Sequence, residues 1–165
     1  MFRIEADNFE WINGEQECPD DLCLHGHATA VIGDETFEYD CTVSATALYL
    51  LKSLEEDHII GRDIQMLPCC GHSIWLKNDG SGDVFVSGCP NGIDWSIFHD
   101  GDNVRLVTES GRETLVPLNE YKAEVFRLAD KVEEFYLSCL PKMPEEYDKE
   151  AYTAFWNEWR RRRNA

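Results

Sequence analysis

Alternating apolar and polar positions predict a β-hairpin across residues 22–43. The alternation runs on both sides of Gly33-Asp34, and a glycine in the first central position suits a tight type II′ turn. A two-residue turn sets the register, which places His27 opposite Asp40. We therefore expect one apolar face and one polar face, with the histidine and the aspartate on the polar face.

The same period of two predicts further strands in the middle of the chain. Strands at about 73–77 and 83–87 flank a turn-rich segment and should form a second hairpin. Residues 93–116 have the pattern of a three-stranded meander, and a two-residue second turn would place Leu106 opposite Leu115.

The hydrophobic period changes to that of a helix in three places. Ser44 is suited to cap a short apolar helix after the first hairpin. After Pro117, apolar residues recur at every third or fourth position, which predicts a helix that ends before Pro141. A last helix, with Tyr147 among its inward residues, has acids in its first turn and Arg160–Arg163 in its last, as the helix dipole favours.

Strands followed by helices predict an α+β fold. We expect an antiparallel sheet of about six or seven strands built from successive hairpins, with one short inserted helix and two C-terminal helices packed on the sheet. No internal repeat or Pro/Ser-rich linker divides the sequence, so residues 1–165 are expected to form a single domain.

The chain is strongly acidic, with a formal net charge of −17. Its first 51 residues contain eleven acidic residues and only one base, Arg3. Such a charge repels nucleic acids and anionic membranes and attracts basic proteins, so we expect a basic protein partner, no nucleic acid and no membrane. The C-terminal arginines would neutralise acids of this chain or of a second copy, which leaves open a homo-oligomer formed through the last helix.

The cysteine content and the apolar segments indicate a compartment. No apolar run approaches the ~20 residues of a membrane span, and the first residues lack a secretory signal pattern. The seven cysteines are an odd number and include the adjacent pair Cys69-Cys70, which is poorly placed to bridge itself. Reduced thiols and a cytoplasmic location are therefore expected.

The first candidate metal ligands are Cys23, His25, His27 and Asp40. Residues at i and i+2 of a strand point to one side, so both imidazoles would flank the predicted contact with Asp40. Two imidazoles and a carboxylate with an open position suit a catalytic zinc, whose activated water would perform hydrolysis. A thiolate from Cys23 or Cys18 would instead close a structural site. An ordinary polar sheet face without any cofactor is the favoured alternative.

A second cluster of thiols and an imidazole is Cys69-Cys70-Gly71-His72, which Cys89 could join from a neighbouring loop. Zinc sites usually contain Cys-x2–4-Cys pairs, and this segment lacks them. A structural turn with buried thiols is therefore favoured over a site for zinc or another divalent metal.

No phosphate-binding loop, nucleophile elbow or zinc-protease helix occurs in the sequence, so catalysis is disfavoured. The leading hypothesis is a non-catalytic module that captures a basic protein, as immunity proteins capture nuclease toxins; this analogy rests on charge and size alone. The alternatives are a metal-binding protein or metal-dependent hydrolase, and a small-molecule binder with a pocket between sheet and helices. The partner-binding residues we expect are Trp11, Glu15, Glu17, Asp20, Asp21, Glu38 and Asp40. Among them, Trp11 would be an exposed anchor.

Overall fold

Residues 1–12 and 17–165 are described in a computed structural model. This part of the chain contains ten strands and three helices. The strands are β1 Phe2–Glu10, β2 His25–Ile32, β3 Glu35–Cys41, β4 Leu67–Pro68, β5 Gly71–Leu76, β6 Val84–Gly88, β7 Gly92–Ile93, β8 Trp95–Asp100, β9 Asn103–Thr108 and β10 Glu113–Pro117. The helices are α1 Val43–Lys52, α2 Leu118–Ser138 and α3 Lys149–Arg163.

Antiparallel pairing joins these strands into four small sheets. The order is β1-β2-β3 in one sheet and β10-β9-β8 in another, while β4 pairs with β7 and β5 with β6. The predicted α+β class, the antiparallel hairpins and the two C-terminal helices are confirmed. The described residues form ten strands, whereas about six or seven were predicted. The three additional strands are β1 and the two-residue strands β4 and β7, which the sequence pattern did not indicate.

The register of the first hairpin is confirmed. Ile32 pairs with Glu35 around Gly33-Asp34, and His27 pairs with Asp40. Gly33 has a φ of 65°, a conformation that glycine adopts without the steric cost of a Cβ atom. The two-residue turn therefore orients every side chain of β2 and β3.

The predicted register of the meander is wrong at its second turn. Leu106 pairs with Thr114 and not with Leu115, because three residues separate the paired positions Thr108 and Arg112. Gly111 has a φ of 81°, as expected at the end of a three-residue hairpin loop. A shift of one residue reverses the faces of a strand, so Leu115 points outward and is 55% exposed.

The core surrounds α1, in which every residue from Val43 to Leu51 is buried. α2 contacts α1 and β1, and α3 contacts β5 and β6, so the buried side chains form one hydrophobic cluster. Ser44 is not the cap that the sequence suggested. It is the second residue of α1, and its Oγ accepts a hydrogen bond from the amide of Leu24 at 3.0 Å. None of the helices in the described ranges has the length and apolar character that crossing a bilayer requires.

A buried ion cluster attaches α3 to two other parts of the fold. The Arg162 side chain is buried, and so is that of Glu158, whose second oxygen accepts a hydrogen bond from the Val84 amide at 2.7 Å. The four carboxylate partners of Arg162, at N···O distances of 2.7 to 3.0 Å, are Glu55, Glu56, Asp83 and Glu158. The cluster thus joins α3, the segment after α1 and the start of β6.

We expect Arg162→Ala to lower the free energy of unfolding by about 3–5 kcal/mol, because it leaves the buried carboxylate of Glu158 without its counter-ion. Urea denaturation at neutral pH measures this loss. The matched control is Arg160→Ala, an exposed member of the same arginine run, which should change stability by about 0.5 kcal/mol or less. Equal losses in the two variants would contradict the assignment.

Candidate metal centre

Four of the short strands form one interrupted ribbon. β4 and β5 follow one another on one arm, and β6 and β7 follow one another on the other arm. The antiparallel ladder breaks between the pair Pro68 and Gly92 and the pair Gly71 and Gly88. The residues in this break are free of regular strand pairing, and three of them are cysteines.

The thiols of Cys69, Cys70 and Cys89 converge at the break. Their Sγ atoms all lie within 4.8 Å of one another. Sulfurs that share one zinc lie about 3.8 Å apart, because each Zn–S bond is about 2.3 Å and the geometry is tetrahedral. In residues 1–12 and 17–165, this is the one group of three His, Cys, Asp or Glu side chains whose ligand atoms converge so closely.

Glycines allow the two arms to approach one another at the cysteines. A Cβ atom on Gly88 would overlap the carbonyl oxygen of Cys70, and one on Gly71 would lie 2.6 Å from Cγ1 of Val86. Gly92 has a φ of 152°, which side chains disfavour. The close backbone contact that brings Cys89 to the other two thiols therefore requires glycine at position 88.

Thr42 fixes the first arm to the N-terminus of α1. Its buried Oγ1 accepts a hydrogen bond from the Gly71 amide at 2.7 Å, and its own amide donates to the carbonyl of Pro68 at 3.1 Å. Across the break, the amide of Cys69 donates to the carbonyl of Asn91 at 3.1 Å. The cysteine segment is thus attached to the buried core on one side and to the opposite arm on the other.

The surroundings of Cys89 favour its thiolate form. Hydrogen bonds from the thiols of Cys69 and Cys70, together with the backbone amide of Asn91, lower the pKa of Cys89 to about 7. The thiolate is the form of cysteine that binds metals. On β3, the contact with Cys69 and burial raise the pKa of the Tyr39 hydroxyl to about 12, so this residue stays protonated.

An imidazole lies beside the cluster. His25, at the start of β2, lines a cleft of about 320 Å³ together with Cys69, and its ring centroid is 4.8 Å from that of His72. Both ring nitrogens of His25 are shielded from solvent and have no hydrogen-bond partner among the described residues. Burial lowers the pKa of His25, although the charge of Asp21 acts in the opposite direction.

The metal site predicted from His25, His27, Asp40 and Cys23 does not assemble as a unit. His27 Nδ1 contacts Asp40 at 2.7 Å, as the register predicts, and His25 lines the same cleft. Cys23 is fully buried, and burial raises the pKa of its thiol. Its amide is bound by the Asp21 carboxylate at 3.1 Å, which turns this segment into the core before β2 begins.

The predicted partner-binding residues do not share one surface. Trp11 is not the exposed anchor that we expected, because it is 1% exposed and the ammonium of Lys142 lies over its ring. Asp21 is buried too, and it accepts hydrogen bonds from the amides of Ile12 and Cys23. Glu17, Asp20, Glu38 and Asp40 are exposed. Glu15 lies outside the described residues.

The sequence contained a signal for the thiol cluster. The hairpin predicted from residues 73–77 and 83–87 forms, with Ile74 opposite Val86. Extending that register along both arms brings Cys69-Cys70 to the level of residues 89–91, which is where the thiols meet. The Cys-x2–4-Cys spacing typical of zinc motifs is absent because the three thiols come from opposite arms of a ribbon and not from one short loop.

Comparison of the chain with protein-family models, with curated proteins and with solved structures finds no match. The geometry of the site is therefore the basis for any functional assignment.

We expect Gly88→Ala to lower the free energy of unfolding by about 1–3 kcal/mol, because the added methyl group would overlap the Cys70 carbonyl and push the arms apart. Urea denaturation measures the effect. Ser87→Ala on the same strand is the control and removes a surface hydrogen bond from Trp75, which should cost about 0.5–1 kcal/mol or less. A Gly88 variant as stable as the wild type would show that the close approach is not required.

Proposed function

We propose that this chain is a metal-binding protein, with Cys69, Cys70 and Cys89 as thiolate ligands of one zinc ion. The observation that carries the proposal is the convergence of three sulfurs from two chain segments within 4.8 Å. Thiolates are soft ligands that select zinc over hard cations such as Mg²⁺ and Ca²⁺. The residues are also only partly buried, so a metal ion has a route from solvent.

The protein residues have distinct tasks in this proposal. Cys89, whose pKa is about 7, supplies the first thiolate, and a bound cation then favours deprotonation of the other two thiols. The glycines and Thr42 keep the arms at the required separation. The proposal needs reduced cysteines, and all seven, which lie in the described ranges, are free thiols. A cytoplasmic location, which provides reducing conditions, stays a prediction.

Protein purified without a histidine tag and under reducing conditions should contain about one zinc per chain by elemental analysis. Cys89→Ser removes one of three ligands, so its zinc affinity should fall at least 100-fold in competition with a chelator. Cys139→Ser is the control because this cysteine is partly buried and lies outside the cluster. Zinc binding that is the same in both variants would rule out this site.

Capture of a basic protein partner is a second candidate function, and an exposed apolar patch favours it. The patch consists of side chains that are each more than half exposed, namely Ile12, Leu137, Leu140, Met143 and Tyr147. Its segments contact one of the expected acids and lie close to another in sequence. The Leu140 amide donates to Glu17 at 3.0 Å, and the Met143 amide donates to the carbonyl of Pro19, which precedes the exposed Asp20. Tyr147, which was predicted to face inward, is 80% exposed because α3 begins two residues after it. An apolar centre with an acidic rim suits a partner with basic residues around an apolar centre.

A cationic amphipathic peptide made of Lys and Leu is a suitable probe of this patch. We expect its affinity to fall as ionic strength rises and to fall about tenfold, or 1.4 kcal/mol, in the double variant Leu140→Ser/Met143→Ser. Isothermal titration calorimetry provides both measurements. Leu115→Ser removes a similarly exposed leucine on β10 and should bind as the wild type does. Salt-independent binding, or equal loss in the control, would exclude the patch.

A further inference from the structure

His25 is a partly buried residue whose two ring nitrogens are shielded from solvent and have no close hydrogen-bond partner in the described part of the chain. Neither Nδ1 nor Nε2 is accessible to solvent, and neither has a hydrogen bond within residues 1–12 and 17–165. A buried donor or acceptor without a partner is destabilising, and an imidazole has two such atoms. A group that binds one of these nitrogens would remove part of this destabilisation.

His25, whose ring nitrogens lack hydrogen-bond partners within the described ranges, lies near the thiol cluster. His25 and Cys69 line the same cleft, and the His25 ring contacts the ring of His72, two residues after Cys70. An unpartnered imidazole therefore shares a cleft with Cys69, one of three sulfurs that together provide one ligand too few for a closed zinc site.

His72 is the competing imidazole, and its environment differs. It is exposed at the irregular pairing between Gly71 and Ser73, so water can satisfy its ring nitrogens. It therefore has no unpaired group that a metal would relieve. Its ring contacts that of His25 but does not line the cleft that His25 shares with Cys69.

We propose that His25 is the fourth ligand of the metal and that the centre is a closed Cys3His site. This inference rests on the zinc-binding function proposed above. In such a site β2, from the first sheet, and both arms of the ribbon are attached to one ion. The metal is then structural, because no position is left for a reacting water, and its loading stabilises the contact between sheet and ribbon.

Cobalt substitution tests the ligand set, since Co²⁺ replaces Zn²⁺ in tetrahedral sites and its visible spectrum reports both thiolate number and geometry. X-ray absorption of the zinc-loaded protein gives the ratio of sulfur to nitrogen ligands independently. We expect three sulfurs and one nitrogen in the wild type. His25→Ala should lose the nitrogen and at least 10- to 100-fold in affinity. His72→Ala should retain the wild-type spectrum and affinity.

A second variant, His25→Gln, distinguishes the loss of a metal ligand from a general folding defect. In His25→Gln the metal-free protein should unfold at the same urea concentration as the metal-free wild type, whereas the stabilisation gained on adding zinc should be smaller. Unchanged ligands and affinity in His25→Ala, or loss of the nitrogen in His72→Ala instead, would overturn the assignment of His25 while leaving the thiolate site in place. A wild type that binds no zinc would overturn both proposals.

Discussion

The guanidinium of Arg162 is buried where α3, the segment after α1 and the start of β6 meet. Because a buried charge needs its partners, it holds these three parts of the chain together. A buried cation must be matched by nearby acceptors, and here four carboxylates surround it. Two of them follow α1, one precedes β6 and one is on α3 itself. Moving any of these segments away would leave the Arg162 guanidinium with fewer counter-ions in the protein interior, where water cannot replace them. The docking of α3 therefore depends on the segment after α1 and on the ribbon, and both depend on α3.

The ribbon that carries the thiols is attached to the rest of the fold at two places. At the start of β6, the carboxylate of Glu158 accepts a hydrogen bond from the Val84 amide, and Arg161 forms an ion pair with Asp83. At the start of β5, the Thr42 hydroxyl accepts a hydrogen bond from the Gly71 amide. The break in the ladder lies close to the second attachment, so the thiol positions are held from the core although the side chains face partly outward. A preorganised set of ligands of this kind lowers the cost of binding a metal.

Internal pairing of the basic residues determines the charge of the surface. At least ten of the fifteen lysines and arginines form ion pairs within the chain. With 32 acidic residues in total, most of the unpaired charge on the surface is negative. The C-terminal arginines show this best, because Arg161, Arg162 and Arg163 each bind carboxylates of their own chain. The proposed capture of a basic partner draws on the acids that remain.

Features that depend on neighbouring residues could be predicted from the amino-acid pattern. A period of two gave the hairpins, a period of three to four gave α2 and α3, and Gly33-Asp34 set the register that brings His27 to Asp40. Which faces and segments meet depends on the packing of the complete fold. It placed Trp11 under Lys142 and turned Leu115 outward through one extra loop residue. It also buried Arg162 among acids more than seventy residues away in the chain and gathered the thiols across a ribbon. Local periodicity describes how each segment is shaped, whereas burial and charge compensation between distant segments depend on how the whole chain packs.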